Sequence, residues 1–279
     1  MMGGEFMNIS IYKNEIKRSI CNRWMVIAII VSAAFGIAGF LYTLNGKIEY
    51  NAMLVQIGEE RLQYITNDTA YTKWMFFDDS NLVRYFYLFV MPILVAIPYG
   101  TSYYSDCRSG YNKQMVTRVS SRCYHQAKYL ANFISAAVIF LVPAFINFIM
   151  TSWIYPMHNP SPLVARMCEY NLFYKLFYEV PYVYLIGCVV YYCIISGLLA
   201  SIALLVSKYI DNYFSIIITP FVISFIAMFI DRFLNEGYFG LMAIINGKVM
   251  KDFYYPLIML GIIFVITYIP FVYGKKEVV

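Results

Sequence analysis

Charge is missing from the places where this sequence is most apolar. No Asp, Glu, Lys, Arg or His stands near the middle of any of its long apolar runs. Ionisable groups inside a bilayer are costly and usually mark proton relays, ion sites or voltage sensors. Their absence argues against a proton- or sodium-coupled carrier and against a membrane-embedded hydrolase. Histidine is scarce too: His125 and His158 fall at opposite ends of one run and cannot share a metal. There is no H-E-x-x-H, and no Cys/His spacing suits zinc. The Glu59-Glu60 pair stands in a polar stretch rather than in an apolar helix, without a catalytic setting. A phosphate-binding loop is lacking as well, because Gly46-Lys47, Gly247-Lys248 and Gly274-Lys275 are not followed by Ser or Thr. The chain is therefore not expected to be an enzyme or to bind a cofactor, and any work it does must draw on a partner's energy. Of the six cysteines, only Cys168 falls on the outer side, so no disulfide framework is expected.

What is present is apolar. Hydrophobic residues make up 61% of the 279 and charged residues 13%, with a mean hydropathy of +0.62. Soluble domains have about 45–50% and about 25%. The sequence predicts an all-α, polytopic membrane protein with six transmembrane helices at 24–44, 82–104, 129–155, 181–206, 213–230 and 254–273, each near the length a bilayer requires. Residues 1–6 read as an expression remnant before a native start at Met7. Residues 7–23 carry Ile9, Tyr12, Ile16 and Ile20 at helical spacing, with Lys13, Lys17 and Arg18 off that stripe. This suits an amphipathic interfacial helix lying among anionic lipid headgroups. A single membrane domain spans 24–273, with an outer loop at 45–81, a cytoplasmic loop at 105–128, short outer helices at 232–253 and a tail at 274–279.

With the N-terminus inside, 12 of the 21 Lys and Arg face the cytoplasm and 11 of the 16 acids face outward. The positive-inside rule then places both termini in the cytoplasm. Pro92, Pro98 and Pro143 fall within spans, where they remove backbone bonds. Ser196/Ala200 and Gly197/Ser201 are small pairs four residues apart, suited to close helix approach within the chain or against a second copy.

The least apolar interior stretch is "SDCRSGYNKQMVTRVSSRCYHQAKYL", beginning at Ser105. Its five bases face one acid. Asp106 to Lys113, with Gly110 inside, reads as a turn, and a helix is expected from Thr117 or Ser120 through Tyr124 and Lys128 into the third span. Some two dozen polar residues are long for a connection that only reverses direction. A short helix at the membrane face would offer a peripheral partner a contact.

This stretch resembles the connection between the second and third helices of ABC-2-type transporter permeases. The resemblance rests on Asp106 after the second span, the turn glycine Gly110, the Thr117-Arg118 and Ser121-Arg122 pairs, Tyr124, and Lys128 entering the third span. Six spans and an interfacial helix match the layout of that family. The resemblance implies that Asp106, Arg108, Gly110, Thr117, Arg118, Ser121, Arg122, Tyr124 and Lys128 form the coupling interface to a cytoplasmic ABC ATPase subunit carrying ATP and Mg²⁺. It also implies a second permease copy or paralogue, a bacterial plasma membrane, and export of a hydrophobic or amphipathic peptide, drug or lipid-like cargo. No nucleic-acid partner is expected. The rival reading is a non-transporting sensing, assembly or immunity factor using the 45–81 segment.

Overall fold

Inside a bilayer a backbone has no water to bond, so each segment must satisfy its own N–H and C=O groups. The computed structural model describes residues 2–57, 68–160, 174–234 and 255–274, and every regular element among them is a helix. These are α1 (Met2–Ile20), α2 (Arg23–Ile57), α3 (Leu82–Ala96), α4 (Ser102–Arg108), α5 (Tyr111–Arg118), α6 (Ser121–Ser152), α7 (Tyr174–Glu179), α8 (Pro181–Val206), α9 (Tyr213–Leu234) and α10 (Tyr255–Tyr273). Four of them, α2, α6, α8 and α9, are long and apolar enough to cross a membrane, and α3 and Leu257–Tyr273 of α10 are shorter apolar helices. The protein is an all-helical membrane protein. Glu59-Glu60, Cys168, nearly all of the expected outer helices at 232–253 and the tail beyond Gly274 lie outside the described residues.

Three expectations change in detail. The second span is not one helix: α3 ends at Ala96, and a turn at 97–101 separates it from α4. Pro98 sits in that turn, where it has no N–H to give to the preceding helical turn. The stretch read as a turn from Asp106 to Lys113 is mostly helix, with only Ser109 and Gly110 between α4 and α5. Gly110 makes this corner possible, since its φ of 74° is the left-handed region that a side chain disfavours. The loop expected at 45–81 is a continuation of α2 as far as Ile57, and its far part, 69–81, turns back into the bundle.

Helix α6 is the central post. It packs against α1, α2 and α8, and more lightly against α3, α5 and α10. Its start is set by Ser120, whose hydroxyl accepts the Cys123 N–H at 3.3 Å, as an N-cap does. The small residues of α8 resolve in favour of packing within the chain: Ser196, Gly197, Leu198, Leu199, Ala200 and Ser201 are all buried. A Cβ on Gly197 would overlap the ring of Phe133 on α6. Adding bulk there forces the Phe133 ring off its place or the helices apart, and overpacking of this kind typically costs about 1–3 kcal/mol. Gly197→Val should therefore lower the melting temperature of the purified protein clearly. Gly187→Val, where a Cβ meets nothing within 4 Å, should leave it nearly unchanged.

Lys208 fastens the end of α10. Its ammonium is buried and donates to the carbonyls of Pro270 and Phe271 at 3.2 Å each, and to that of Gly274. The last carbonyls of a helix lack intrahelical donors and carry partial negative charge, so a cation is stabilising there.

Candidate functional site

The stretch singled out above divides into a buried half and an exposed half. On the buried side, Asp106 of α4 is the hub. Its Oδ2 accepts from Lys128 Nζ at 2.6 Å and from the Tyr124 hydroxyl at 2.7 Å, and its Oδ1 accepts from Arg18 Nη2 at 2.7 Å. Glu15 of α1 forms the second carboxylate of the cluster. It accepts from Arg18 Nη1 at 2.9 Å, from Lys128 Nζ at 3.4 Å and from the Tyr99 hydroxyl. Two acids thus alternate with two bases, and the cluster is formally neutral. Lys128 and Glu15 are fully buried and Asp106 nearly so. The Arg18 guanidinium lies 4.5 Å from the ring centroid of Tyr111, the first residue of α5.

Local structure explains how these groups meet. Tyr124 and Lys128 are four residues apart on α6 and share a face. Glu15 and Arg18 are three apart on α1 and bridge each other. Helix α1 lies on α6 with Ile11, Glu15 and Ser19 buried, a stripe rotated from the one expected. Tyr12 and Ile16 are half-buried, and Ile20 is exposed. Ion-pair geometry turns the helix here, because Glu15 in an apolar contact needs its cations.

Burial by itself would raise the Asp106 pKa. The Lys128 ammonium, with hydrogen bonds from Arg18, Lys128 and Tyr124, outweighs it and holds this carboxyl below its ordinary value of 3.8. For Arg18, burial works against the charge, but the hydrogen bond to Asp106 and the proximity of Glu15 hold the pKa above its usual value. The sign for Asp106 follows from linkage: a depressed folded-state pKa gives stability that is present above the unfolded value and is lost as pH falls through the folded one. Melting temperature in detergent should therefore carry no Asp106-dependent slope between pH 5 and 8, and an acid limb should open below pH 3.8. Asp106→Asn should remove its share of that limb.

The exposed half begins where the buried half ends. Arg108, Thr117, Arg118, Ser121 and Arg122 are exposed, as is Lys113, and α5 has no buried residue. Helix α5 rests on the bundle through half-buried Tyr111 and Met115, which pack against the buried cluster of Tyr103, Tyr124, Tyr129, Leu204, Phe271 and Val272. Thr117 donates to the carbonyl of Gln114 within its own helix, and Ser121 meets the Nδ1 of His125, four residues on. Arg122 lies over the Tyr273 ring at 5.3 Å. Of the nine residues expected to form one surface, Asp106, Tyr124 and Lys128 are interior. Gly110 shapes the corner, and the other five stand on the surface.

Sequence reasoning missed Glu15, Arg18 and Tyr99. A signal for the first existed: Glu15 is the one acid in the basic stretch 7–23. Tyr99 carried none, being one of 28 tyrosines. Compared with known proteins, the chain matches no family model, no curated protein and no solved structure.

Proposed function

We propose that this chain is the membrane-spanning permease subunit of an ATP-driven exporter, and that the exposed face of α5 with its flanks is where a cytoplasmic ATPase docks. The observation that carries the reading is mechanical. A short, basic, solvent-facing helix stands on a buried ionic joint that ties α1, α4 and α6 together. Force applied to Arg108, Lys113, Arg118 and Arg122 would reach Asp106 within the same corner, and from there the first turn of α6. A topology signal needs the cations but not the joint beneath them.

In this reading α3 and the start of α4, as far as Tyr104, form one crossing, the chain crosses six times, and both termini are cytoplasmic, as the bias of Lys and Arg supports. ATP and Mg²⁺ sit on the partner. Cargo that is apolar or amphipathic passes along the interface with a second copy or paralogue in a bacterial plasma membrane.

The test is purification from the native host under mild conditions. A subunit carrying G-x-x-x-x-G-K-[ST] should accompany the chain stoichiometrically. Lys113→Glu/Arg118→Glu should reduce its recovery about tenfold or more, since like charge at a docking rim costs several kcal/mol. Its melting temperature should stay that of the unaltered chain, because both side chains are exposed. If no nucleotide-binding subunit accompanies the unaltered chain in detergent or in nanodiscs, the exporter reading fails.

A further inference from the structure

Residues 69–81 are polar enough to lie in water, yet Trp74, Met75 and Phe76 are at most 1% exposed. The Phe76 ring reaches those of Tyr87, Phe140 and Tyr192 at centroid distances of 5.7, 5.0 and 5.6 Å. Phe140 and Tyr192 stand near the midpoints of α6 and α8, so the segment penetrates deeply. Helix α2 is notched to admit it: a Cβ on Gly39 would overlap the Met75 sulfur.

Several features distinguish this segment from fixed core. Its main backbone bonds close on itself, from Lys73 N–H to the Thr69 carbonyl and from Phe77 and Asp78 N–H to the Trp74 carbonyl. Thr69 and Thr72 cap one another's N–H groups. Such a turn keeps these bonds when it moves as a body. A small set of bonds ties it to its surroundings: Trp74 Nε1 to the Ala144 carbonyl at 3.1 Å, Met75 N–H to Asn147 Oδ1 at 2.9 Å, Asn81 Nδ2 to the Gly39 carbonyl at 3.0 Å and Thr43 Oγ1 at 3.2 Å, Ala70 N–H to the Pro156 carbonyl at 3.0 Å, and, at the start of α3, the Val83 N–H to Asn81 Oδ1 at 3.1 Å and the Tyr85 hydroxyl to the Asp79 carbonyl at 3.2 Å. Its other face is charged and half-open, with Lys73 between Asp68 and Asp78 at 3.6 and 3.9 Å. Asp79, exposed itself, pairs with Arg84 2.7 Å away, a residue that is only 2% exposed although it follows the start of α3 by two residues.

The segment thus makes two contacts that a ligand could make: a buried ring in an aromatic cage, and, at the open end, a half-exposed carboxylate on a buried arginine. Tyr192 belongs to both places, since it stacks on Phe140 and meets Arg84. We propose that residues 69–81 are a removable plug occupying a ligand site, and that the site takes a molecule with an aromatic ring and an anionic group. Phe76 marks the place of the ring and Asp79 that of the anion.

The test uses the full-length protein in nanodiscs, with both faces open to a water-soluble maleimide and the six native cysteines replaced. Ser80→Cys, at an exposed position, sets the fast reference, and Ala136→Cys, fully buried on α6, sets the core. Met75→Cys should react on the order of a hundredfold more slowly than Ser80→Cys, through local opening, while Ala136→Cys stays protected. Asp79→Asn should speed the Met75→Cys reaction severalfold by releasing Arg84. N-acetylphenylalanine at millimolar concentration should speed it as well, and Arg84→Gln should abolish that response. A Met75→Cys as inert as Ala136→Cys would mean permanent core and overturn the plug. Labelling of both would mean general opening and overturn it equally. Labelling of Met75→Cys that ignores N-acetylphenylalanine would overturn the ligand site.

Discussion

Lys128→Met should cost on the order of 3–5 kcal/mol, the usual penalty for removing one partner from a buried ion pair. The ammonium lies between Asp106 at 2.6 Å and Glu15 at 3.4 Å and is fully buried. Without it, Arg18 is the one cation left in the cluster for two interior carboxylates, and α1 loses an ionic anchor on α6. The expected result is a large drop in melting temperature and a poorly monodisperse protein in detergent. Lys128→Met/Asp106→Asn removes one charge of each sign and should recover part of the loss, with a coupling of about 1–3 kcal/mol in the double-mutant cycle. If Lys128→Met leaves the melting temperature unchanged, the joint is not a structural element, and Lys128 regains its place as an exposed docking residue.

The second large effect is expected at Phe140→Ala. This ring is fully buried, stacks on Tyr192 at 5.1 Å and meets Phe76 at 5.0 Å. Lipid tails are as apolar as a helix interface, so the transfer term that dominates in soluble proteins is weak here. What remains is the cavity left behind and the dispersion attraction between the ring and its neighbours, on the order of 2–4 kcal/mol. Phe145→Ala, on the same helix but 56% exposed, removes a ring that faces lipid and leaves no cavity. It should stay within about 0.5 kcal/mol of the parent protein. Thermal unfolding of both variants in one lipid composition separates packing from hydrophobicity, since the chemical change is identical. An equal drop in stability at the two positions would contradict the burial seen here.

Much of the fold was legible because its cause is local. Runs of apolar residues near bilayer length specify helices wherever they lie, and α8, which spans Pro181–Val206, has the predicted bounds. The helical entry into α6 through Tyr124 and Lys128 was legible as well, since capping by Ser120 depends on the next three residues. The N-terminal helix was visible as a helix but not in its orientation. Apolar spacing pointed to Ile9, Tyr12, Ile16 and Ile20, whereas the buried stripe is the one that brings Glu15 to Lys128. A hydrophobic pattern has no means of scoring a buried carboxylate whose partners lie elsewhere in the chain.

The candidate site shows the same limit. The segment was found from its basic charge and its Gly110 corner, but its residues could not be sorted into inside and outside. Asp106 and Arg108 are two positions apart, yet one is the hub of a buried cluster and the other faces solvent. That difference comes from Lys128 and Tyr124, about twenty residues later, and from Arg18, some ninety residues earlier, and no local window contains them all.

The sequence by itself determined an all-helical membrane protein, the positions of most of its apolar helices, and the basic corner between α4 and α6, because hydropathy and turn chemistry act over a few residues. Only the tertiary structure decided which charges are interior, where the break at Pro98 places α4, and that residues 69–81 fill the bundle. Those outcomes depend on contacts between distant segments: Asp106 is charged in the interior because Arg18 and Lys128 arrive from other helices, and Phe76 is buried because Gly39, Phe140 and Tyr192 make room for it.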